Sequence, residues 1–216
     1  MKALILWGGW DGHDPDPITK LFERKLKALK HEVTRVNSLK PLENLKELKT
    51  YDVIIPCWTM GEMTDKQWTN LDKAVKSGVG IAGIHGGMCD AFRGNLTYQM
   101  MTGGQFVDHP GGIMDYRVNV VDRTHPVTDG MDNFCYKSEQ YYMLVNPANR
   151  VLAETAVDFD GSTQPVVWTK SWGKGRVFYS ALGHSAQEFK DFPKVLAMTI
   201  RGLVWAAGGR CDGCYK

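Results

Sequence analysis

The stretch Gly78-Val79-Gly80-Ile81-Ala82-Gly83-Ile84-His85-Gly86-Gly87-Met88 constrains this chain more than any other. A short apolar run bounded by glycine reads as a buried strand, because it is too brief for a helix of the same composition. It leads straight into a histidine followed by two glycines. That is the layout of a sharp strand-to-helix turn whose apex side chain is aimed into a cleft. Where such turns carry acyl-transfer chemistry, the apex is a Ser or Cys nucleophile. Here the apex is His85, so the position points to an active site and the residue points away from ordinary acyl transfer.

The first hundred residues supply a frame for that turn. Apolar runs at residues 2–7, Glu32–Val36, Tyr51–Pro56 and Gly78–Ile84 read as strands. A helix is expected between the first two, with Asp16 as N-cap and Pro17 at N1, continuing to about Leu29. Its inward stripe is Ile18, Leu21, Phe22, Leu26 and Leu29. A helical turn is expected over Pro41–Leu48. A second long helix over Asp65–Lys76 is capped by Thr64, with Trp68, Leu71 and Val75 inward, and a third starts near Met88. Strands alternating with helices predict an α/β fold, a mostly parallel sheet with helices on both faces. Ligands of open α/β sheets bind beyond the strand C-termini, so the loops after Trp7, Pro56 and Ile84 should meet at one cleft.

The second half is richer in strand signals, at Tyr116–Val121, Gln140–Leu144, Arg150–Glu154, Gln164–Lys170 and Arg176–Ser180. Trp172–Arg176 reads as a hairpin turn, and Phe192–Ala207 as a closing helix with Val195, Leu196, Ile200, Leu203 and Val204 inward. With no repeat or linker, the chain reads as one domain over residues 1–216. Its sheet carries an antiparallel extension, and residues 209–216 form a mobile tail.

Composition narrows the classes. A net charge of +2 is too mild for the concentrated basic face that nucleic-acid binding needs. No apolar run reaches the length of a transmembrane helix, and no secretory leader is visible after Met1. Five scattered cysteines fit reduced thiols, which places the protein in the cytoplasm. Cys211 and Cys214 have the spacing of half a zinc site but lack a second pair, and read as part of the tail. Exposed Met and aromatic residues in the second half suggest a homo-oligomer.

Four of the six histidines lie at loop or strand ends beside glycine or proline: His13, His85, His109 and His184. His184 closes a second buried strand, Val177-Phe178-Tyr179-Ser180-Ala181-Leu182-Gly183-His184. An imidazole at such a place serves as general acid or base near neutral pH, or as a metal ligand. Glu139, at the start of an aromatic-rich strand, adds a carboxylate, giving a His/Glu metal site or an acid/base pair. The catalytic set is read as His85, His184 and Glu139, with the same three as metal ligands. Such donors suit Zn, Mn, Fe or Ni, with Zn or Mn the expected divalent metal. Trp10, His13, Trp58, His109 and Tyr141 are read as binding the substrate, the tryptophans as platforms for a sugar ring. No nucleotide cofactor is expected. Cys89 lies one helical turn past the apex and reads as a small buried residue rather than a nucleophile.

An ordered series of motifs spans nearly the whole chain: Gly83-Ile84-His85-Gly86-Gly87; Gly103-Gly104-Gln105-Phe106 with His109-Pro110; His125-Pro126-Val127-Thr128 with Phe134; Glu139-Gln140-Tyr141; Pro165-Val166-Val167-Trp168; and Gly173–Tyr179 followed by Leu182-Gly183-His184. In this order they resemble the ThuA-like (trehalose utilisation) family, whose fold is similar to class I glutamine amidotransferases. The resemblance implies a flavodoxin-like sheet, a cleft at the strand C-termini and a small-molecule carbohydrate ligand. It supplies no reaction. It also leads one to expect an Asp-Glu pair where this chain has Ser138-Glu139. Amidotransferases of this type carry cysteine at the apex, so His85 argues against cysteine-dependent glutamine hydrolysis. Two functions follow from this reading: a sugar-derivative hydrolase, isomerase or lyase built on a His/Glu cleft, or a non-catalytic sugar-binding or regulatory protein on the same scaffold.

Overall fold

In a computed structural model, residues 1–157 and 160–209 are described. In chain order the elements are β1 (Lys2–Gly9), α1 (Pro15–Ala28), β2 (Glu32–Val36), α2 (Leu45–Leu48), β3 (Val53–Thr59), α3 (Asp65–Ser77), β4 (Gly80–Ile84), α4 (His85–Cys89), α5 (Leu96–Thr102), β5 (Gly104–Asp108), β6 (Ile113–Val120), β7 (Phe134–Glu139), β8 (Tyr142–Val145), β9 (Arg150–Ala156), β10 (Thr163–Trp172), β11 (Gly175–Ser180), α6 (Glu188–Asp191) and α7 (Pro193–Ala206). Cys211 and Cys214, and all of the expected tail beyond Gly209, lie outside the described residues.

Nine strands form one sheet in the order β2-β1-β3-β4-β11-β10-β9-β6-β7, and β5 pairs with β8 apart from it. The first five are parallel neighbours. Their order, with β11 as the fifth, is that of a flavodoxin-like doubly wound sheet. The next four pairings are antiparallel, which is the extension the sequence predicts. The crossovers through α1 and α3 leave β1 and β3 in opposite directions along the sheet. Right-handed connections therefore place the two helices on opposite faces. The strands between them are apolar on both sides: Leu4, Ile5, Ile54, Ile55, Ile81, Ala82 and Phe178 are buried. Burying one such large side chain contributes about 1.5–3 kcal/mol relative to exposure.

The sheet is not flat. Five steps separate β4 from β7 in the strand order, which would be about 24 Å at the usual strand spacing. Yet Glu139 Oε2, at the end of β7, lies 3.0 Å from His85 Nε2 at the end of β4. The antiparallel extension therefore curls back over the C-terminal edge of the parallel strands.

Several local expectations need correction. Helix α1 begins at Pro15, with Asp14 as N-cap in the left-handed region at φ 47°. Proline at the first helical position fixes the start, and Asp16 pairs with Lys20 and Arg35 instead of capping. Strand β3 runs past Pro56 to Thr59, because its ladder with β1 continues to Gly9–Thr59, although its pairing with β4 ends at Ile54–Ile81. Glu139 ends β7 rather than starting a strand, and the next strand begins at Tyr142. The buried Ser138 breaks the apolar alternation that would have revealed β7. The helix expected near Met88 is a single five-residue turn beginning at His85 itself. The Thr64 cap is present, as a full capping box with Gln67. Among the described residues, no helix is long and apolar enough to cross a membrane.

Candidate functional site

The turn after β4 has the geometry its sequence implies. Ile84 is extended, and His85 sits at φ 44°, a conformation that costs a non-glycine residue free energy and persists only where packing enforces it. The two glycines that follow are required by close approach. A Cβ at Gly86 would lie 2.4 Å from ring atoms of His13, and one at Gly87 would lie 3.0 Å from Cys57 Cα. The turn is thereby pressed against the ends of β1 and β3, and the His85 ring is only 1% exposed.

His85 is held from two sides. Its Nδ1 lies 2.7 Å from the Ala181 carbonyl oxygen, which only accepts, so Nδ1 carries the proton. Tyr179 Oη donates to the His85 main-chain carbonyl at 3.1 Å. Tyr141 stacks on the ring, with centroids 4.0 Å apart. These contacts aim Nε2 at Glu139 Oε2, 3.0 Å away, and at His184 Nδ1, 3.3 Å away. His184 Nδ1 is also 3.3 Å from the same Glu139 oxygen. His13 completes the group from the loop after β1. Its Nε2 stands 3.8 Å from Glu139 Oε2, and its Nδ1 is 2.9 Å from Thr59 Oγ1 at the end of β3. One ligand atom from each of His13, His85, Glu139 and His184 lies within 4.8 Å of all the others.

The electrostatics follow from this crowding. Burial opposes the Glu139 carboxylate, but hydrogen bonds with His184 and His85 outweigh it and hold the carboxyl well below the usual range. The hydrogen bond to Glu139 raises His184 above an ordinary histidine. His13 is pushed down to about 3, first by burial and then by the neighbouring His85 and His184 rings. At neutral pH the site thus presents an ionised carboxylate and a neutral His13.

The remaining expected residues are distributed around this core. His109, between β5 and β6, stands 3.7 Å from the second oxygen of Glu139, and its Nδ1 has no hydrogen-bond partner. Trp10, 49% exposed, meets His13 edge-on. Trp58 packs where a Cβ at Gly8 or Gly61 would be. Tyr141, expected to touch ligand, is 1% exposed and sits behind His85 as its support. Cys89 is buried, and burial pushes its thiol far up, which leaves it no thiolate character. Thr59, Tyr179 and Ala181 were not singled out from sequence. The only trace of Thr59 is a polar residue closing a buried strand, and a main-chain acceptor such as Ala181 has no side-chain signature.

The ThuA family, described as trehalose utilisation, matches residues 2–206. Among solved structures, a ThuA-like protein from Parabacteroides merdae superposes with a TM-score of 0.81 at 18% identity, covering 98% of this chain and 91% of that one. A ThuA-like protein from Bacteroides uniformis gives 0.80 at 22%, covering 97% and 94%. A cytoplasmic protein from Salmonella typhimurium gives 0.64 at 14%, covering 96% and 98%. At these identities the likeness speaks for the fold. No curated protein matches by sequence.

Proposed function

The chain belongs to the ThuA, or trehalose utilisation, family, and from that premise we propose that it is an enzyme acting on a sugar derivative, with His13, His85, Glu139 and His184 holding a divalent metal. The observation that carries this reading is the donor geometry. With Nδ1 of His85 committed to Ala181, its Nε2 is the ring atom that faces a carboxylate oxygen and another imidazole nitrogen. Such an assembly of acceptors requires a cation, either protons or a metal. Ligand bonds of about 2.0–2.1 Å at tetrahedral angles put donor atoms about 3.3 Å apart. The separations from Glu139 Oε2 to the three imidazoles are 3.0, 3.3 and 3.8 Å. Mixed imidazole and carboxylate donors are compatible with Zn or Mn.

A divalent metal there would supply polarisation of a substrate oxygen. The chain's own residues do the rest. Ala181 holds His85 Nδ1, Tyr141 holds the ring plane, Tyr179 anchors the His85 main-chain carbonyl, and the exposed Trp10 offers an apolar wall for a sugar ring. His109, at the opening and beside the free oxygen of Glu139, is the group placed to pass a proton to or from a bound ligand. The reaction class is hydrolysis, isomerisation or elimination beside a carbonyl. The proposed setting is the cytoplasm, supported by free Cys57, Cys89 and Cys135.

Metal analysis of protein purified without a histidine tag tests the reading. About one Zn or Mn per chain is expected, absent from His85→Ala. Metal-free protein that binds its ligand undiminished would refute the metal centre, and a sugar ligand bound but never turned over would favour the non-catalytic alternative.

A further inference from the structure

Next to the cluster lies a second buried carboxylate. Glu188, at the start of α6, is 9% exposed. Its Oε2 accepts three hydrogen bonds: from Tyr136 Oη at 2.5 Å, Ser138 Oγ at 3.0 Å and the His184 main-chain N–H at 3.0 Å. Tyr136 Oη in turn accepts the Gly183 N–H at 3.0 Å. Among the described residues, no ion pair involves Glu188. A buried carboxylate of this kind is costly unless its hydrogen bonds are satisfied, and here neutral donors satisfy it.

The origin of those donors is what matters. Tyr136 and Ser138 are two apart on β7 and share one face of the strand, and Glu139 is the next residue. The His184 and Gly183 amides belong to the loop after β11. Each segment carries one member of the cluster, and no ladder joins them, because β7 and β11 are separated by β10, β9 and β6 in the sheet. We infer that Glu188 is a positioning residue: it pins the end of β7 to the loop after β11 and so sets the 3.3 Å separation of Glu139 Oε2 and His184 Nδ1. It also accounts for Ser138, where the resemblance suggests an acid. An aspartate there would set a second carboxylate against Glu188, whereas the serine hydroxyl donates to it.

This inference rests on the metal-holding reading, and the test separates the two. Metal-free protein is titrated with Co²⁺ against a chromophoric chelator, and the visible absorption of the complex is recorded. Glu188→Ala is expected to weaken Co²⁺ binding about 10–100-fold, the scale of outer-shell partners of metal ligands, and to alter the visible band. Glu188→Gln keeps an acceptor oxygen for the same donors and should recover most of the affinity. Tyr136→Phe removes one donor and should weaken binding several-fold in the same direction. A folded Glu188→Ala protein with unchanged affinity and spectrum overturns the inference. Should that variant fail to fold, unchanged binding by Tyr136→Phe overturns it instead. If the wild-type chain takes up no Co²⁺, the metal reading has failed and the positioning role is judged by imidazole ¹⁵N NMR of the metal-free protein. There the hydrogen bond between His184 and Glu139 should be lost in Glu188→Ala or Tyr136→Phe and kept in Glu188→Gln. Its persistence in a folded Ala or Phe variant counts against the role.

Discussion

The parallel and antiparallel halves of the sheet supply the cluster with opposite chemistry. Beyond the C-terminal ends of β1, β4 and β11, the parallel half presents His13, His85 and His184, all imidazoles. The antiparallel half contributes Glu139, at the end of the edge strand β7. In the parallel half, position comes from topology, because strand ends of a doubly wound sheet share one edge. In the antiparallel half, position comes from curvature and from the hydrogen bonds that anchor the curled strand. One half could be placed by fold class alone. The other depends on particular side chains, and it is the more exposed to single substitutions.

The largest effect should come from removing the antiparallel half's contribution. Glu139→Gln keeps the shape and deletes the charge, leaving three imidazoles with no anion among them. Divalent-metal affinity measured by competition titration should fall by more than the roughly 10–100-fold typical of outer-shell changes. A smaller loss would mean that the imidazoles alone define the site.

On the parallel side, Gly86→Ala should break the packing rather than the charge. The added methyl would overlap the His13 ring at 2.4 Å, costing about 1–3 kcal/mol in urea unfolding, as overpacking does. Gly94→Ala, whose Cβ would meet nothing within 4 Å, should be nearly neutral and serves as the control.

A histidine outside the cluster sharpens the contrast between ligand and structural imidazoles. His125 is buried against Trp205 and accepts the Val127 N–H. Burial, with Arg150 next, lowers it from 6.5 to about 4. The unfolded chain takes up a proton below about 6.5 and the folded chain only below about 4, so this group's stabilisation is complete above that window and lost as pH falls through it. In His125→Asn, which retains an acceptor for the turn, the fall in Tm between pH 7 and pH 5 should be smaller than in the wild type. The smallest effect is expected at the rim. Trp10→Ala should weaken binding of a sugar ligand a few-fold, measured by calorimetry, with Tm and metal content unchanged.

Much of this was legible in the sequence, and the reasons differ by residue. The His85 turn was readable because glycine is demanded by close approach, and the histidines stood out by their glycine and proline neighbours. The parallel sheet followed from alternating elements. Glu139 was visible as a residue, but its strand was not, since Ser138 is a polar residue buried by its bond to Glu188. Glu188 itself was silent: a glutamate in Gln187-Glu188-Phe189-Lys190-Asp191 reads as solvated surface, and only the curl of the sheet buries it. Tyr141 stacks on His85 and is buried, an orientation the sequence does not show, because an aromatic after a strand end carries no sign of which way it faces. Long-range closure of this kind has no local pattern.

Above all, the two halves of the sheet are proposed to meet around one divalent cation. Anomalous diffraction from crystals of untagged protein grown with Zn²⁺ or Mn²⁺ tests this most directly. A single strong peak bonded to His85 Nε2, His184 Nδ1, His13 Nε2 and Glu139 Oε2 is the predicted result. Well-ordered side chains in the same positions, with no peak among them at saturating metal, would contradict it.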